Sequence, residues 1–289
     1  MIRRLCIFGV GLIGGSLARS LREAGAVRTI IGCSRGEENL ARALELKVID
    51  EYVLDPGAAV DGADMVVVAT SLGATPVIFD KIAASLAPTT IVTDVGSAKA
   101  RVVDAARLSF AENFAQFVPG HPIAGTEKSG VDASFASLFR DHRVILTPLA
   151  ETNRNAITAV TEMWQATGAN VIEMDVQHHD EVLAATSHLP HLLAYALVEC
   201  LAEMDKSNEI FAYAAGGFRD FTRIASSSPA MWCDIAMDNR EALLSVLQNF
   251  TSTYNQLISA LESNDKDAIL ATFTRAKTAR DRAALPTHK

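Results

Sequence analysis

One histidine in this chain is well suited to proton chemistry. It lies in Gly120-His121-Pro122-Ile123-Ala124-Gly125-Thr126-Glu127-Lys128-Ser129-Gly130, a stretch rich in Gly and Pro. An imidazole titrates near neutral pH, so His121 can take or hold a hydroxyl proton. The composition predicts a loop in which backbone comes close to a ligand and the ring projects into a cleft. The plain alternative is a histidine that caps a turn.

Three further groups carry side chains fit for chemistry. His178-His179-Asp180 falls where a long helix should begin. Asp180 would complement the helix dipole there. Neighbouring histidines diverge by about 100° on a helix, so these read as capping or surface residues rather than a metal pair. Ser187-His188-Leu189-Pro190-His191 spaces two histidines so that a metal could bridge them. No HExxH, carboxylate cluster or CxxC supplies further ligands, and no metal is expected. Pro190 should kink or interrupt its helix and free backbone groups beside a cavity. In Gly216-Gly217-Phe218-Arg219-Asp220-Phe221-Thr222-Arg223, two arginines follow two glycines. A guanidinium suits bidentate pairing with a small carboxylic acid, with Asp220 as an internal partner. Solvation is the plain reading for one of the two arginines. Met231-Trp232 adds bulk for a core or a cleft wall.

The elements that must position these residues begin at the N-terminus. Leu5-Cys6-Ile7-Phe8 is an apolar run of the buried-strand kind. Gly9-Val10-Gly11-Leu12-Ile13-Gly14 follows, and a helical pattern runs on from Gly15. Strand, GxGxxG and helix in that order form a dinucleotide motif: a tight turn, a close approach to pyrophosphate, and helix packed on strand. This also explains a run that otherwise mimics a signal peptide behind Arg3-Arg4. About 20 residues past the glycines, an NAD-preferring fold places Asp or Glu. Ser34-Arg35 stands there instead, with no carboxylate to repel a 2′-phosphate and a guanidinium to pair with one. The cofactor expectation is NADP or NAD, with NADP favoured. Glu37 and Glu38 nearby support the alternative of Arg35 as a solvated turn residue.

Strands are predicted over Arg28–Gly32, Asp64–Thr70, Thr90–Asp94 and Arg143–Thr147. Parallel strands present ligands at their carboxyl ends, which points Thr70, Ser71, Asp94 and Ser97 at a cofactor cleft. Ser97 either caps the following helix alone or also touches ligand. The fold class is therefore α/β: a Rossmann-type dinucleotide-binding domain over 1–150, then a helical domain over 151–289 for substrate binding and dimerisation. Within the second, Leu243, Leu247, Phe250, Tyr254, Leu257 and Leu261 form one stripe, read as core first and dimer seam second.

Composition agrees with a globular enzyme, at 49% apolar and 21% charged residues. A net charge of -8 argues against nucleic acid or an anionic membrane as partner. No apolar run reaches the about 18 residues a spanning helix needs. Cys6, Cys33, Cys200 and Cys233 show no paired spacing and are expected as reduced thiols in a cytoplasmic protein.

Six stretches together resemble a known family: GVGLIGGSLA, TDVGSAK, GHPIAGTEKSG, TSHLPHLLAYAL, GGFRDFTRIA and SPAMWCDI. They are similar to the prephenate/arogenate dehydrogenases of tyrosine biosynthesis, from Ile2 to about Arg282. The resemblance implies oxidative decarboxylation of a cyclohexadienol that carries a ring carboxylate. It implies that His121 accepts the ring hydroxyl's proton and that Ser97 contacts the same hydroxyl. Arg223 would pair with a substrate carboxylate, Ser187, His191 and Trp232 would line the pocket, and Glu127 would partner or gate Arg223. Gly9, Gly11, Leu12, Ile13, Gly14, Ser34, Arg35, Thr70 and Ser71 would hold the cofactor. Rival readings are another two-domain reductase of the β-hydroxyacid dehydrogenase type and a dinucleotide sensor without turnover.

Overall fold

Strand β1 (Ile2–Phe8) is buried from Leu5 to Phe8 because helices cover both of its faces. Leu5 and Ile7 join one core cluster and Cys6 and Phe8 the other, the two-residue period of a strand. The chain continues through α1 (Leu12–Glu23), β2 (Val27–Cys33), α2 (Glu37–Glu45), β3 (Glu51–Tyr52), α3 (Pro56–Ala59) and β4 (Met65–Val68). It then forms α4 (Thr75–Ala83), β5 (Ile91–Asp94), α5 (Ala100–Phe110) and β6 (Phe117–Val118). These six strands make one parallel sheet in the order β3-β2-β1-β4-β5-β6. The order reverses between β1 and β4, and ligands of such sheets bind outside the strand ends at that point. The computed structural model describes residues 1–283; residues 284–289, the end of the expected second domain, lie outside them.

A second sheet follows, made of β7 (Gly120–Pro122) and β8 (Arg143–Leu146), then, after α6 (Arg154–Ala166), β9 (Asn170–Glu173). β7 pairs antiparallel with β8, and β8 pairs parallel with β9. His121 is therefore on a short strand opposite Ile145, not in the loop that its Gly and Pro neighbours predict. Gly120 and Pro122 are tolerated because β7 is an edge strand. Helix α6 turns Val160, Met163 and Trp164 into the first core cluster, where Trp164 meets Phe139 edge-on at 5.1 Å. Pairing and packing thus continue past the boundary expected at residue 150.

The rest is helical: α7 (Val176–Leu183), α8 (Leu189–Ala202), α9 (Ser207–Ala212), α10 (Gly216–Thr222), α11 (Pro229–Asp238), α12 (Arg240–Glu262) and α13 (Lys266–Arg282). A π turn at Ala184–His188 joins α7 to α8 just before Pro190. The described chain packs as two units, Met1–Arg240 and the residues from Glu241 onward. Of the α12 stripe read first as core, Leu243 is buried, but Tyr254 is 55% and Leu261 66% exposed. Among the described residues no helix is long and apolar enough to cross a membrane.

Candidate active site

His121 is 8% exposed, and its Nδ1 lies 2.9 Å from Nε2 of His179. His179 Nδ1 lies 2.8 Å from Asp180 Oδ1. The same carboxylate accepts the backbone N–H groups of Lys99 (2.8 Å) and Ala100 (2.9 Å), at the first turn of α5. A carboxylate so placed only accepts. His179 must then donate from Nδ1 and accept at Nε2, and His121 must donate from its own Nδ1. That leaves His121 Nε2 as a bare acceptor, with no hydrogen-bond partner among the described residues.

Local sequence explains why α7 can present this pair inward. Asp175, not Asp180, caps α7 by accepting from Gln177 N (2.8 Å) and His178 N (3.1 Å). Adjacent helical residues point in different directions, so His178 is exposed while His179 and Asp180 are buried. Reading His179 and Asp180 as surface or capping residues of their own helix is therefore corrected. Asp180 serves the start of α5, far away in sequence, because the α5 N-terminus has no side-chain cap of its own. Ser97 makes no cap bond there, which removes its plain reading as an N-cap. Asp94, expected to face the cofactor cleft, is buried and bonded to Lys99 instead.

At the other end of the site, Pro190 carries no N–H, and the π turn absorbs the mismatch. His191 Nδ1 donates to the Ser187 carbonyl at 2.9 Å, and its ring stacks on Trp232 at 3.5 Å between centroids. His188 accepts at Nδ1 from Asn239 Nδ2 (3.0 Å), and that amide also donates to the Asp180 carbonyl (2.7 Å). Trp232 meets His188 edge-on at 6.2 Å. A continuous set of contacts therefore runs from Trp232 through His188 and Asn239 to the Asp180–His179–His121 line. Ser187 is half-buried, with its hydroxyl unpaired among the described residues. Arg223 forms an ion pair with Glu127, on the segment after β7. Asp220 pairs with neither Arg219 nor Arg223 among the described residues, because Arg223 turns to Glu127 instead.

Every histidine of the cluster is driven to the neutral form. Burial, then the charges of His179, Lys99 and His188, hold His121 well below the ordinary imidazole range. Burial lowers His179 against the opposing pull of Asp180. Burial likewise lowers His191, and takes His188 down to about 4. Burial works to raise the Asp180 carboxyl, but hydrogen bonds from His179, Ala100 and Lys99 outweigh it and keep it ionised. Neutral imidazoles cannot bind a carboxylate by charge. Arg223, paired with Glu127, carries a guanidinium whose fork suits a carboxylate.

The cofactor end of the site is the turn between β1 and α1. Gly9 has φ +87°, and a Cβ on it would stand 2.4 Å from the Ala69 carbonyl. A Cβ on Gly14 would lie 2.3 Å from the Gly9 carbonyl. The turn and the helix-on-strand contact both require glycine. A Cβ on Gly11 would instead meet open space, in front of a helix start with no side-chain cap at Leu12 and Ile13. Such a start, with its unpaired N–H groups, fits an anionic pyrophosphate. Ser71 opens the turn before α4, and Thr70 Oγ1 sits 3.4 Å from Thr75 Oγ1. At the end of β2, Ser34 Oγ donates to the Gly36 carbonyl, and Arg35 is exposed. Glu37 accepts from Tyr52 Oη at 3.0 Å.

Comparison with known proteins adds independent findings. Residues 17–173 match the family described as prephenate dehydrogenase, nucleotide-binding domain, and residues 175–275 its dimerization domain. The chain is 38% identical to a cyclohexadienyl dehydrogenase of Zymomonas mobilis, over 97% of this chain and 96% of that protein. It is 36% identical to a prephenate dehydrogenase of Bacillus subtilis, over 96% of this chain and 75% of that protein. The crystal structure of prephenate dehydrogenase from Aquifex aeolicus with hydroxyphenyl propionate and NAD+ superposes with a TM-score of 0.90 at 34% identity. That match covers 97% of this chain and 98% of the other.

Proposed function

The chain belongs to the prephenate dehydrogenase family, and from that membership and the geometry around His121 we propose that it oxidatively decarboxylates prephenate, arogenate or both with a nicotinamide cofactor. The products are 4-hydroxyphenylpyruvate or tyrosine. The observation that carries this reading is the hydrogen-bond line Asp180–His179–His121, which leaves one imidazole nitrogen as a bare acceptor.

With its pyrophosphate at the glycine turn, the dinucleotide would supply a nicotinamide to accept the hydride that leaves the ring's carbinol carbon. Gly9, Gly11, Leu12, Ile13 and Gly14 would hold that pyrophosphate, with Thr70 and Ser71 beside it. His121 Nε2 accepts the hydrogen bond of the ring hydroxyl and takes the proton as that carbon flattens. The bond to the ring carboxylate breaks, carbon dioxide leaves, and the bonding pair stays to complete the aromatic ring. Burial disfavours the imidazolium, so the proton returns to the phenolic oxygen. Ser97 makes a second hydrogen bond to the same hydroxyl. Arg223 exchanges Glu127 for a substrate carboxylate, while Ser187, His191 and Trp232 line the pocket.

We assign NADP ahead of NAD, on Ser34 and the exposed Arg35, which has no ion-pair partner among the described residues. The helical part, including the exposed Tyr254, Leu261, Leu270 and Phe273, is assigned to pairing with a second copy. The four unpaired cysteines support a cytoplasmic location. Cofactor reduction with prephenate and with arogenate, each against NAD and NADP, tests the reading. Turnover with at least one pair is expected, and no reduction with any pair would overturn it.

A further inference from the structure

Lys99 is completely buried, and the chemistry above leaves its ammonium unused. Nζ donates to Asp94 Oδ2 at 2.5 Å and to the Gly120 carbonyl at 2.6 Å. Asp94, itself 1% exposed, also accepts Gly96 N–H at 2.7 Å and Gly120 N–H at 3.1 Å. Gly120, the residue before His121, is thus held at both of its backbone groups by one ion pair. The backbone N–H of Lys99 meanwhile donates to Asp180 at 2.8 Å. One residue therefore holds the histidine line at both ends. Stability alone is a weak reason to bury such a pair, since apolar side chains of similar volume commonly serve it as well.

We propose that Lys99 is a positioning residue for this reaction, setting His121 against the His179–Asp180 pair through its side chain at one end and its backbone N–H at the other. The inference rests on His121 being the proton acceptor. The Lys99 ammonium, disfavoured by burial and sustained by Asp94, has a second consequence, because a positive charge beside the ring opposes a second one on the imidazole. The titratable groups around His121 are Lys99 and Asp94 beside β5, His179 and Asp180 on α7, and His188 on the π turn. Asp94 and Asp180 are each occupied by two backbone N–H groups and one side chain, which leaves Lys99 as the cation of the set.

The test is the pH dependence of kcat/KM for prephenate in the wild type, Lys99→Met, Lys99→Met/Asp94→Asn and His121→Asn. The double variant buries no unpaired charge and keeps the test available if the single one fails to fold. Lys99→Met should move the acid limb up by about one pH unit, whereas the double variant, which removes both charges of the pair, should leave it in place; both should lower kcat roughly 10-fold. KM and the cofactor dissociation constant should stay within about threefold. An acid limb unmoved in Lys99→Met, or a kcat unchanged in the double variant, overturns the proposal. The acid limb should vanish in His121→Asn, and its persistence there would overturn the role of His121 itself.

Discussion

His179 stands 58 residues beyond His121 in the chain and 2.9 Å from it in space, ring nitrogen to ring nitrogen. With Asp180 behind it, this contact selects one tautomer for each ring and leaves Nε2 of His121 as the unprotonated nitrogen. Asp180→Asn should reverse the choice. An amide can donate to His179 Nδ1, which makes His179 donate to His121 and puts the proton on His121 Nε2. We expect kcat to fall on the order of 10²-fold or more, with cofactor affinity retained. ¹⁵N shifts of the two imidazoles would check the mechanism directly, because the wild type should carry the His121 proton on Nδ1.

Arg223 should act through binding. Arg223→Gln removes the bidentate fork, and KM for prephenate should rise on the order of 10-fold with a smaller change in kcat. Steady-state kinetics with an unchanged KM would remove it from the carboxylate site.

Stability should depend on the neutral histidines. His188 is held at about 4 in the fold, mainly by burial, and titrates near 6.5 when unfolded. Between those values the unfolded chain binds a proton that the native state refuses. The contribution is therefore complete above pH 6.5 and is lost as the pH falls towards 4, by roughly 3 kcal/mol at full extent. His121, His179 and His191 are shifted in the same direction. Urea unfolding across this range should show the decline, and His188→Gln should make it shallower. Equal slopes in the two proteins would contradict the assignment.

Cofactor choice should turn on the end of β2. Ser34→Asp places a carboxylate where a 2′-phosphate would sit, and the ratio of kcat/KM for NAD over NADP should rise by about 10-fold or more. No change would mean that the phosphate is read elsewhere.

Much of this architecture is legible in the residues alone, and the exceptions share a cause. The GxGxxG turn and the apolar strands at β1, β4 and β5 are local patterns, and the sheet follows from them. β7 has three residues, two of them Gly and Pro, so no period marks it as a strand, and only its pairing with β8 makes it one. Nothing local distinguishes His179 from His178. Which of the two is buried depends on where α7 meets β7 and α5. Asp180 caps a helix that begins 80 residues earlier, a relationship without any spacing signal. The α12 stripe has the period of a buried face, yet Tyr254 and Leu261 are exposed, because period marks an apolar face without saying what covers it.

The central claim is that His121 holds the hydroxyl proton of the substrate, and His121→Asn tests it most directly. Turnover of prephenate by the variant should be lower by on the order of 10²-fold or more, with a cofactor dissociation constant close to that of the wild type. A folded variant with near-normal kcat would contradict the account.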